Sequence, residues 1–251
     1  MNGIKYWLRA LSDSVLPRTC TVCGRVLGIR ENHLCIYCAD DFPFTFFWKQ
    51  SHNPMSERLN TLICRSMEGN SGYDGYEPYA NAAALFYYSS GSGYKEITRQ
   101  LKYHGNIGIG LHYGKILGEK LSESGFLSDV DMIVPVPLHW ARKWQRGYNQ
   151  AEIIADGISI SMGVPVNSGI LYRNRRTESQ TKLNIERKLN NVRSAFSINE
   201  KIAGEISPRH ILLVDDVFTT GATIYSCHRA LRRFFGPQVK IGAATLGFVG
   251  C

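Results

Sequence analysis

The sequence lacks the features that would place the protein in a membrane or outside the globular class. No apolar stretch approaches the roughly 18 uninterrupted residues of a transmembrane helix. Residues 1–9 are broken by Lys5 and Arg9 and contain no apolar run of signal-peptide length. Internal repeats and low-complexity tracts are missing, and there are only 9 prolines in 251 residues. We therefore expect a soluble, cytoplasmic protein without membrane insertion.

The residues that are present have the composition of a globular protein. Hydrophobic residues make up 44% of the chain and charged residues 20%, which excludes the disordered, collagen-like and coiled-coil classes. The length allows one α/β domain with a smaller module, or one large domain.

Positive charge is concentrated in one part of the chain. The net charge is +8, from 29 Lys and Arg against 21 Asp and Glu. Residues 139–193 hold ten of these cations and four of the acids. Such a concentrated field attracts polyanions such as nucleic acids, nucleotides or pyrophosphates. A well-solvated basic surface is the alternative interpretation of the charge alone.

Four cysteines near the N-terminus have the spacing of a zinc site. They form the pattern Cys20-x2-Cys23-x11-Cys35-x2-Cys38, and four thiolates satisfy tetrahedral Zn²⁺. A site closed by four protein ligands is structural rather than catalytic. Two disulfides are the alternative, which a cytosolic location disfavours, and for a redox dithiol one CxxC would suffice. The cysteines without a partner at ligand spacing are Cys64, Cys227 and Cys251.

Beyond residue 80 the hydrophobic pattern switches repeatedly between strand and helix. Short apolar strands that alternate with helices predict a parallel sheet flanked by helices, hence the α/β class. We predict a helix over 3–15 and an irregular aromatic connection over 42–78. The predicted domains are 1–80, with the cysteine module and connection, and 81–251. The predicted strands are 83–88, 133–136, 211–214 and 239–246, and the predicted helices are 95–103, 108–124, 146–162 and 223–235.

The most informative segment is residues 211–223, Ile-Leu-Leu-Val-Asp-Asp-Val-Phe-Thr-Thr-Gly-Ala-Thr. Four apolar residues predict a buried strand, and Asp215 and Asp216 follow at its carboxyl end, where open α/β sheets bind ligands. The backbone N–H groups of 219–222 can form a concave nest at the start of the next helix. Nest and helix dipole favour a phosphate dianion, and Gly221 permits positive φ. Threonine hydroxyls at 219, 220 and 223 add donors.

The two carboxylates suit a different part of the same ligand. Like charge keeps Asp215 and Asp216 from serving the phosphate, but adjacent acceptors fit the vicinal hydroxyls of a ribose. A sugar 5-phosphate would thus occupy both features. A phospho-acceptor aspartate of a receiver-like domain and a solvated acidic turn are the alternatives, although neither needs the Thr-Thr-Gly-x-Thr continuation. No Gly-Lys-Ser/Thr follows, so the segment is not a Walker loop.

This segment resembles the phosphoribosyl pyrophosphate (PRPP) motif of type I phosphoribosyltransferases, and further segments are similar to one subgroup, the ComF family. The four-cysteine module and a later Leu101-Lys-Tyr103 also fit that family. The resemblance covers essentially residues 17–248. It departs from the family pattern at Tyr148, where Phe is usual, and at the single Cys64, which leaves open whether Cys64 joins a metal site. The similar segments are Val134-Pro-Val-Pro-Leu-His139, Arg146-Gly-Tyr-Asn-Gln150, and Arg176-Thr-x-x-Gln180 with Leu183, Arg187, Asn190 and Phe196.

The resemblance implies a type I phosphoribosyltransferase fold, preceded by a small zinc-ribbon-like module, and a role for each residue of the motif. Asp215 and Asp216 would hold the ribose hydroxyls, and the loop after residue 136 would bind pyrophosphate. Residues 176–187 would form a lid that excludes water. Mg²⁺ would accompany PRPP, and Zn²⁺ would occupy the cysteines. The implied catalytic residues are Asp215, Asp216, Arg176 and Arg187. The implied PRPP-binding residues are Asp215, Asp216, Thr219, Thr220, Gly221, Ala222, Thr223, Pro137, Arg142, Arg146 and Lys102.

Three functions stay open at this level. The first is a phosphoribosyltransferase that uses PRPP and an unknown acceptor. The second is a single-stranded DNA-binding factor of DNA uptake, working with competence or recombination proteins and with PRPP as a regulatory ligand, and the third is a PRPP-binding regulator without catalysis. Three aromatic residues spaced by four could stack on DNA bases, or could form a core stripe of a helix. They are Trp140, Trp144 and Tyr148, and the neighbouring cations are Arg142, Lys143 and Arg146.

Overall fold

The computed structural model describes residues 13, 16–68, 77–173 and 195–250. In these ranges the helices are α1 (Ile36–Asp40), α2 (Pro54–Glu68), α3 (Lys95–Tyr103), α4 (Ile107–Ser122), α5 (Trp140–Arg146), α6 (Gln150–Met162), α7 (Glu200–Gly204) and α8 (Ala222–Phe235), with a 3₁₀ turn at Phe47–Lys49. The strands are β1 (Ala82–Tyr87), β2 (Met132–Pro135), β3 (Leu171–Arg173), β4 (Phe196–Ile198), β5 (His210–Phe218) and β6 (Lys240–Phe248).

A parallel sheet of four strands forms the centre of the molecule. Its strand order is β1-β6-β5-β2, and each neighbouring pair is parallel. Strands β1, β5 and β6 are buried over most of their length, as expected for a sheet covered by helices. Strands β3 and β4 form a separate antiparallel pair. Strand β3 precedes residues 174–194, and β4 follows them. The predicted α/β class is confirmed.

Helices α4 and α6 pack closely against each other because glycines line their contact. A Cβ on Gly157 of α6 would lie 2.8 Å from the Cα of Gly114 on α4, so the two helix backbones touch and only glycine fits. On β5, α8 buries Ile224, Cys227 and Leu231. No helix among the described residues is long and apolar enough to cross a membrane.

Most predicted elements after residue 80 are present with small shifts at their ends, and two predictions are wrong. The helix predicted over 146–162 begins only at Gln150, as α6, and Gly147 with a φ of 81° separates it from α5, a helix that was not predicted. The connection predicted to be irregular over 42–78 contains α2, a helix of 15 residues. Strands β3 and β4 were not predicted. The helix predicted over 3–15 lies outside the described residues except for Asp13.

The cysteine module is attached to the sheet domain through α3 and an aromatic cluster. The hydroxyl of Tyr94 donates to the carbonyls of Cys38 and Asp41, both at 2.9 Å. Phe42 stacks on Tyr113 of α4 at a ring distance of 5.7 Å. These contacts fix the module beside α3 and α4. The domain boundary near residue 80 stays a prediction.

Candidate functional site

The two aspartates lie at the carboxyl end of β5, where the strand continues beyond the predicted end at residue 214. Both are half-buried. The backbone N–H of Asp216 donates to Oδ1 of Asp215 at 2.9 Å. Lys102, at the end of α3, places its Nζ 2.8 Å from Oδ2 of Asp216. The structure thus brings Lys102 to the acidic pair, although it is more than a hundred positions away along the chain.

Burial and the neighbouring carboxylate change the acidity of Asp215. Burial and the charge of Asp216 raise the pKa of Asp215 to about 7, while the positive charges of Lys102 and Arg173 act in the opposite direction. Burial tends to lower the pKa of Lys102, but the neighbouring Asp216 and Asp215 carboxylates outweigh it, and the pKa is raised. Lys102 therefore stays protonated and balances the acidic pair at neutral pH.

The turn after β5 is held in place through its carbonyl groups. The backbone N–H of Val249 donates to the carbonyl of Phe218 at 2.9 Å, and Arg58 Nη1 donates to the carbonyl of Thr219 at 2.6 Å. The side chains of Thr219 and Thr220 are exposed. We call residues 219–223 the phosphate loop. Its N–H groups at 219, 220 and 221 make no backbone hydrogen bond within the part of the chain that the structure describes.

Glycine is required at the position where the phosphate loop enters α8. Gly221 is the N-cap residue and has a φ of 82°, which L side chains rarely adopt. A Cβ on Gly221 would lie 2.6 Å from Cζ of Phe218 and 3.1 Å from Cδ1 of Leu62. Helix α8 begins at Ala222, one residue before the predicted start. The loop therefore has both the conformation and the close packing that only glycine permits.

A second loop of the site follows β2, the strand next to β5, and Asn149 holds this loop in place. Its Nδ2 donates to the carbonyl of Val136 at 3.0 Å, and its Oδ1 accepts from the N–H of Ala151 at 3.2 Å, which caps α6. The hydroxyl of Tyr148 donates to the carbonyl of Leu101, at the end of α3. Since β2 and β5 are parallel, this loop and the aspartates share one edge of the sheet. Pro137 lies half-buried in it.

Arg146 joins this loop region to the end of α3. Its Nη1 donates to Oε1 of Gln150 at 2.9 Å, and its guanidinium lies over the Tyr103 ring, 5.4 Å from the centroid. Tyr103 directly follows Lys102 and is 67% exposed. Gln150 is buried, and its Nε2 finds no partner among the described residues. Arg146 and Lys102 thus lie around the same helix end.

Helix α5 presents two tryptophans to solvent. Trp140 is 73% exposed and Trp144 is 89% exposed. The interpretation of residues 140, 144 and 148 as a helical core stripe is therefore wrong for the two tryptophans, and Tyr148 lies beyond the end of α5. The sequence of α5 also contains Arg142 and Lys143 and no acidic residue.

The four predicted metal-ligating cysteines come together. Their sulfur atoms all lie within 4.8 Å of one another, and the sulfurs of Cys23 and Cys35 are 3.7 Å apart. Tetrahedral Zn²⁺ with Zn–S bonds of about 2.3 Å requires sulfur separations of roughly 3.8 Å. Burial would raise the pKa of Cys20, but hydrogen bonds from the N–H groups of Cys23, Cys35 and Val22 lower it to about 7. The six described cysteines form no disulfide, and the cluster fits a metal such as zinc.

The sequence did not point to two arginines of this site. Arg58 holds the phosphate loop from α2, and nothing in the pattern of residues 42–78 indicated it. Arg173, the last residue of β3, lies 5.2 Å from the centroid of Phe196 and acts on the Asp215 charge. Its place within the basic segment 139–193 was the available signal. Of the predicted lid residues, Arg176, Gln180, Leu183, Arg187 and Asn190 lie outside the described ranges.

Comparison with known proteins identifies relatives of this chain, although no protein-family model matches it. Competence protein F of Haemophilus influenzae is 33% identical over 111 residues, covering 44% of this chain and 48% of its own. DNA utilization protein YhgH of Escherichia coli K12 is 34% identical over 111 residues, covering 44% and 47%. Competence protein ComFC of Bacillus subtilis is 30% identical over 115 residues, covering 46% and 43%. The chain spans about half the length of these relatives.

These relatives support the resemblance to the ComF family that the sequence indicated. Among solved structures, the chain is similar to one described as the allosteric regulatory enzyme of purine biosynthesis. The TM-score is 0.34 and the identity 22%, over 53% of this chain and 25% of that one. A similarity of that size carries no argument about function. The parallel sheet, its flanking helices and the four-cysteine module are the architecture that the sequence predicted.

Proposed function

We propose that this protein binds PRPP with Mg²⁺ at the carboxyl edge of the sheet and transfers its phosphoribosyl group to an acceptor. One observation carries the proposal: a half-buried carboxylate pair continues directly into a glycine-dependent loop, in which the N–H groups of 219–221 make no backbone hydrogen bond to any described residue. The pair suits the ribose hydroxyls, and the phosphate loop suits the 5-phosphate. Asp215, Asp216 and the phosphate loop together suit the hydroxyl and phosphate groups of a ribose 5-phosphate.

The same geometry supports a transfer reaction with release of pyrophosphate. The bond from C1 to the pyrophosphate oxygen breaks, and pyrophosphate leaves with the electron pair. A bond from the acceptor to C1 forms, and the acceptor proton passes to solvent. Positive charge develops on the ribose beside Asp215 and Asp216. The cations of Lys102 and Arg146, with Pro137 in the loop after β2, would stabilise the leaving group. Mg²⁺ supplies further charge neutralisation when it is bound with the substrate.

Lys102 gives the proposal a specific consequence. Its ammonium forms an ion pair with Asp216. A ribose diol that binds Asp216 would displace this ammonium, which would become available to the negative charge of the leaving group. Lys102 would thus exchange one anionic partner for another during binding, and the ribose hydroxyls would replace it as hydrogen-bond donors to Asp216.

Calorimetric titration of PRPP with Mg²⁺ tests the site. We expect micromolar binding by the wild type and none by Asp215→Asn/Asp216→Asn. Glu123→Gln, an exposed carboxylate on the surface after α4, serves as the matched control and should bind as the wild type does. Unchanged binding in the double variant would remove the site from consideration. Release of pyrophosphate in an acceptor screen then separates an enzyme from a PRPP-binding regulator.

For the cysteine module we propose one structural Zn²⁺ ion held by Cys20, Cys23, Cys35 and Cys38. The sulfur separations and the N–H groups around Cys20 support this assignment. Cys35→Ser/Cys38→Ser should lose the zinc and unfold the module, because metal binding and folding are coupled at such sites. Cys64→Ser, on the exposed surface of α2, should retain the full metal content. Equal metal content in both variants would contradict the assignment.

The second candidate function is binding of single-stranded DNA, which the exposed tryptophans of α5 favour. Two indole rings beside cations are the combination that single-strand binders use to stack bases and to neutralise phosphates. Relatives are named for competence and for DNA utilization, and they supply the nucleic acid as the partner class. Competence and recombination proteins are then the expected partners in the cell.

Salt dependence tests this second function. Phosphate contacts release counterions, so the affinity for an oligonucleotide should fall steeply as salt rises. Arg142→Gln/Lys143→Gln should lower the slope of log affinity against log salt by about 1.4 in magnitude. Lys120→Gln, a cation on α4, should leave the slope unchanged. A protein whose oligonucleotide binding does not respond to salt would exclude this function.

A further inference from the structure

Helix α2, which follows the cysteine module, holds the phosphate loop through the side chain of Arg58. Arg58 is half-buried, and its Nη1 donates to the carbonyl of Thr219 at 2.6 Å and to the carbonyl of Val249 at 3.0 Å. Its guanidinium lies over the ring of Phe248, 4.8 Å from the centroid. The side chain is therefore held between the end of β6 and the phosphate loop by contacts with both.

We propose that Arg58 is a positioning residue for the candidate phosphate site, which aims the N–H of Thr220 at a sugar phosphate by holding the carbonyl of Thr219. This inference rests on the proposed function, because it assumes that a phosphate occupies the loop. It adds a component from α2, which lies outside the strand, turn and helix of the motif itself.

The planarity of the peptide bond gives the reason. In a trans peptide unit the C=O and the N–H point in opposite directions, and the described chain contains no cis peptide bonds. The carbonyl of Thr219 shares its unit with the N–H of Thr220. The carbonyl of Phe218 shares its unit with the N–H of Thr219. Each carbonyl that accepts a hydrogen bond therefore directs the N–H of the next residue to the opposite side of the chain.

Both of these carbonyls are tied to the end of β6. Phe218 accepts from the N–H of Val249 at 2.9 Å, and Thr219 accepts from Arg58, which also holds the carbonyl of Val249. The two N–H groups consequently point away from β6. Gly221, with its φ of 82°, then turns the chain so that successive N–H groups converge, which is the geometry of an anion-binding nest.

A second contact from α2 fixes the next part of the loop. Leu62 lies one turn after Arg58, on the same face of the helix. A Cβ on Gly221 would lie 3.1 Å from its Cδ1, so Leu62 and Gly221 are in close contact. Arg58 and Leu62 together make α2 the outer wall of the phosphate loop, and Arg58 adds positive charge behind it.

Ribose 5-phosphate and pyrophosphate are the two parts of PRPP, and measuring the affinity for each separates a local effect on the phosphate loop from a general effect on the site. The variant Arg58→Met keeps the apolar stem and removes both donated hydrogen bonds. We expect it to lower the affinity for ribose 5-phosphate about tenfold, in line with the loss of a charged hydrogen bond. Its affinity for pyrophosphate, measured with Mg²⁺, should stay within about twofold of the wild type. Arg65→Met, an exposed arginine of the same helix, should change neither affinity.

Three results would overturn the proposal. These are an unchanged affinity of Arg58→Met for ribose 5-phosphate, an equal loss for both ligands, or an equal loss in the Arg65→Met control. If Arg58→Met fails to fold, Arg58→Lys replaces it. Lysine keeps the charge but has no planar fork for two carbonyls, so ribose 5-phosphate should still bind more weakly while pyrophosphate does not.

Backbone ¹⁵N order parameters distinguish this proposal from the proposed function, because they report how rigidly each N–H is held. If the wild type binds neither ligand, the phosphate assignment fails, and the order parameters of residues 219–222 decide the role of Arg58. Lower order parameters in Arg58→Met that are confined to these amides support positioning of the loop. Equal order parameters in the variant and the wild type overturn it.

Discussion

The two sides of the candidate site are held by different means. The phosphate loop is fixed through its own backbone: two successive carbonyls are bound by Val249 and Arg58, and Gly221 packs tightly against Phe218. The opposite side depends on side chains. Asn149 holds the loop after β2, and Arg146 lies against Tyr103.

This difference separates a fixed recognition element from an adaptable one. A loop whose N–H directions are set by its anchored carbonyls suits one small anion of constant shape, such as a monophosphate. Long side chains and the exposed Trp140 and Trp144 on α5 can rearrange around partners of different size. The phosphate loop would then bind the same group in every complex, while the opposite side meets the leaving group and a larger partner.

Glycine substitutions give the largest expected difference between the two sides. Gly221 and Gly147 have nearly the same φ, 82° and 81°, but a Cβ meets Phe218 at 2.6 Å in the first and nothing within 4 Å in the second. Gly147→Ala should cost about 1–2 kcal/mol of unfolding free energy for the left-handed backbone alone. Gly221→Ala should cost about 1–3 kcal/mol more, because it also overpacks the loop. Urea unfolding of both variants measures this, and equal losses would contradict the tight packing.

A smaller effect on stability is expected from the titration of Asp215. Burial and the charge of Asp216 raise its pKa to about 7 in the folded protein, against about 3.9 in the unfolded chain. The folded state therefore holds this proton more tightly, and the stability that it contributes is complete below pH about 4 and lost as the pH rises to about 7. Asp215→Asn cannot release this proton.

Thermal unfolding of both proteins between pH 4 and pH 8 checks that expectation. The wild type should lose stability relative to Asp215→Asn as the pH rises to about 7, and the difference should then become constant. Parallel curves over the whole range would show that the carboxyl titrates normally. For PRPP the sign is opposite, since the ionised carboxylate is the better acceptor of ribose hydroxyls, so wild-type affinity should increase through pH about 7.

The sequence predicted the elements that local pattern controls. Alternating apolar segments located the sheet, the CxxC spacing located the four-cysteine cluster, and the segment 211–223 located the acidic pair and the loop that follows it. Those features are carried by residues close together in the chain. The helix predicted over 146–162 begins four residues later, at Gln150, because Gly147 in its left-handed conformation separates α5 from α6.

Long-range contacts were the part that the sequence did not show. Arg58 and Thr219 are 161 positions apart and meet only because α2 packs beside α8. Lys102 was predicted to contact pyrophosphate, and the structure places its ammonium on Asp216. A single sequence gives no pairing information for such contacts, since any surface arginine or lysine has the same local pattern. The sequence also left open whether Trp140 and Trp144 are exposed, since a spacing of four residues fits both a solvent face and a core face of a helix.

The smallest effect on stability, combined with a large effect on binding, is expected on the side of α5. Trp140 and Trp144 are exposed, so Trp140→Ala/Trp144→Ala should change the unfolding free energy by no more than about 0.5 kcal/mol. If the indoles stack on bases, the affinity for a single-stranded oligonucleotide should fall at least about tenfold, from roughly 1–3 kcal/mol per stacked base. Ile160→Ala, an exposed apolar residue of α6, is the control and should change neither quantity. A double variant that is destabilised but still binds the oligonucleotide would assign the tryptophans to packing, and the contrast between the two sides of the site would then rest on the phosphate loop alone.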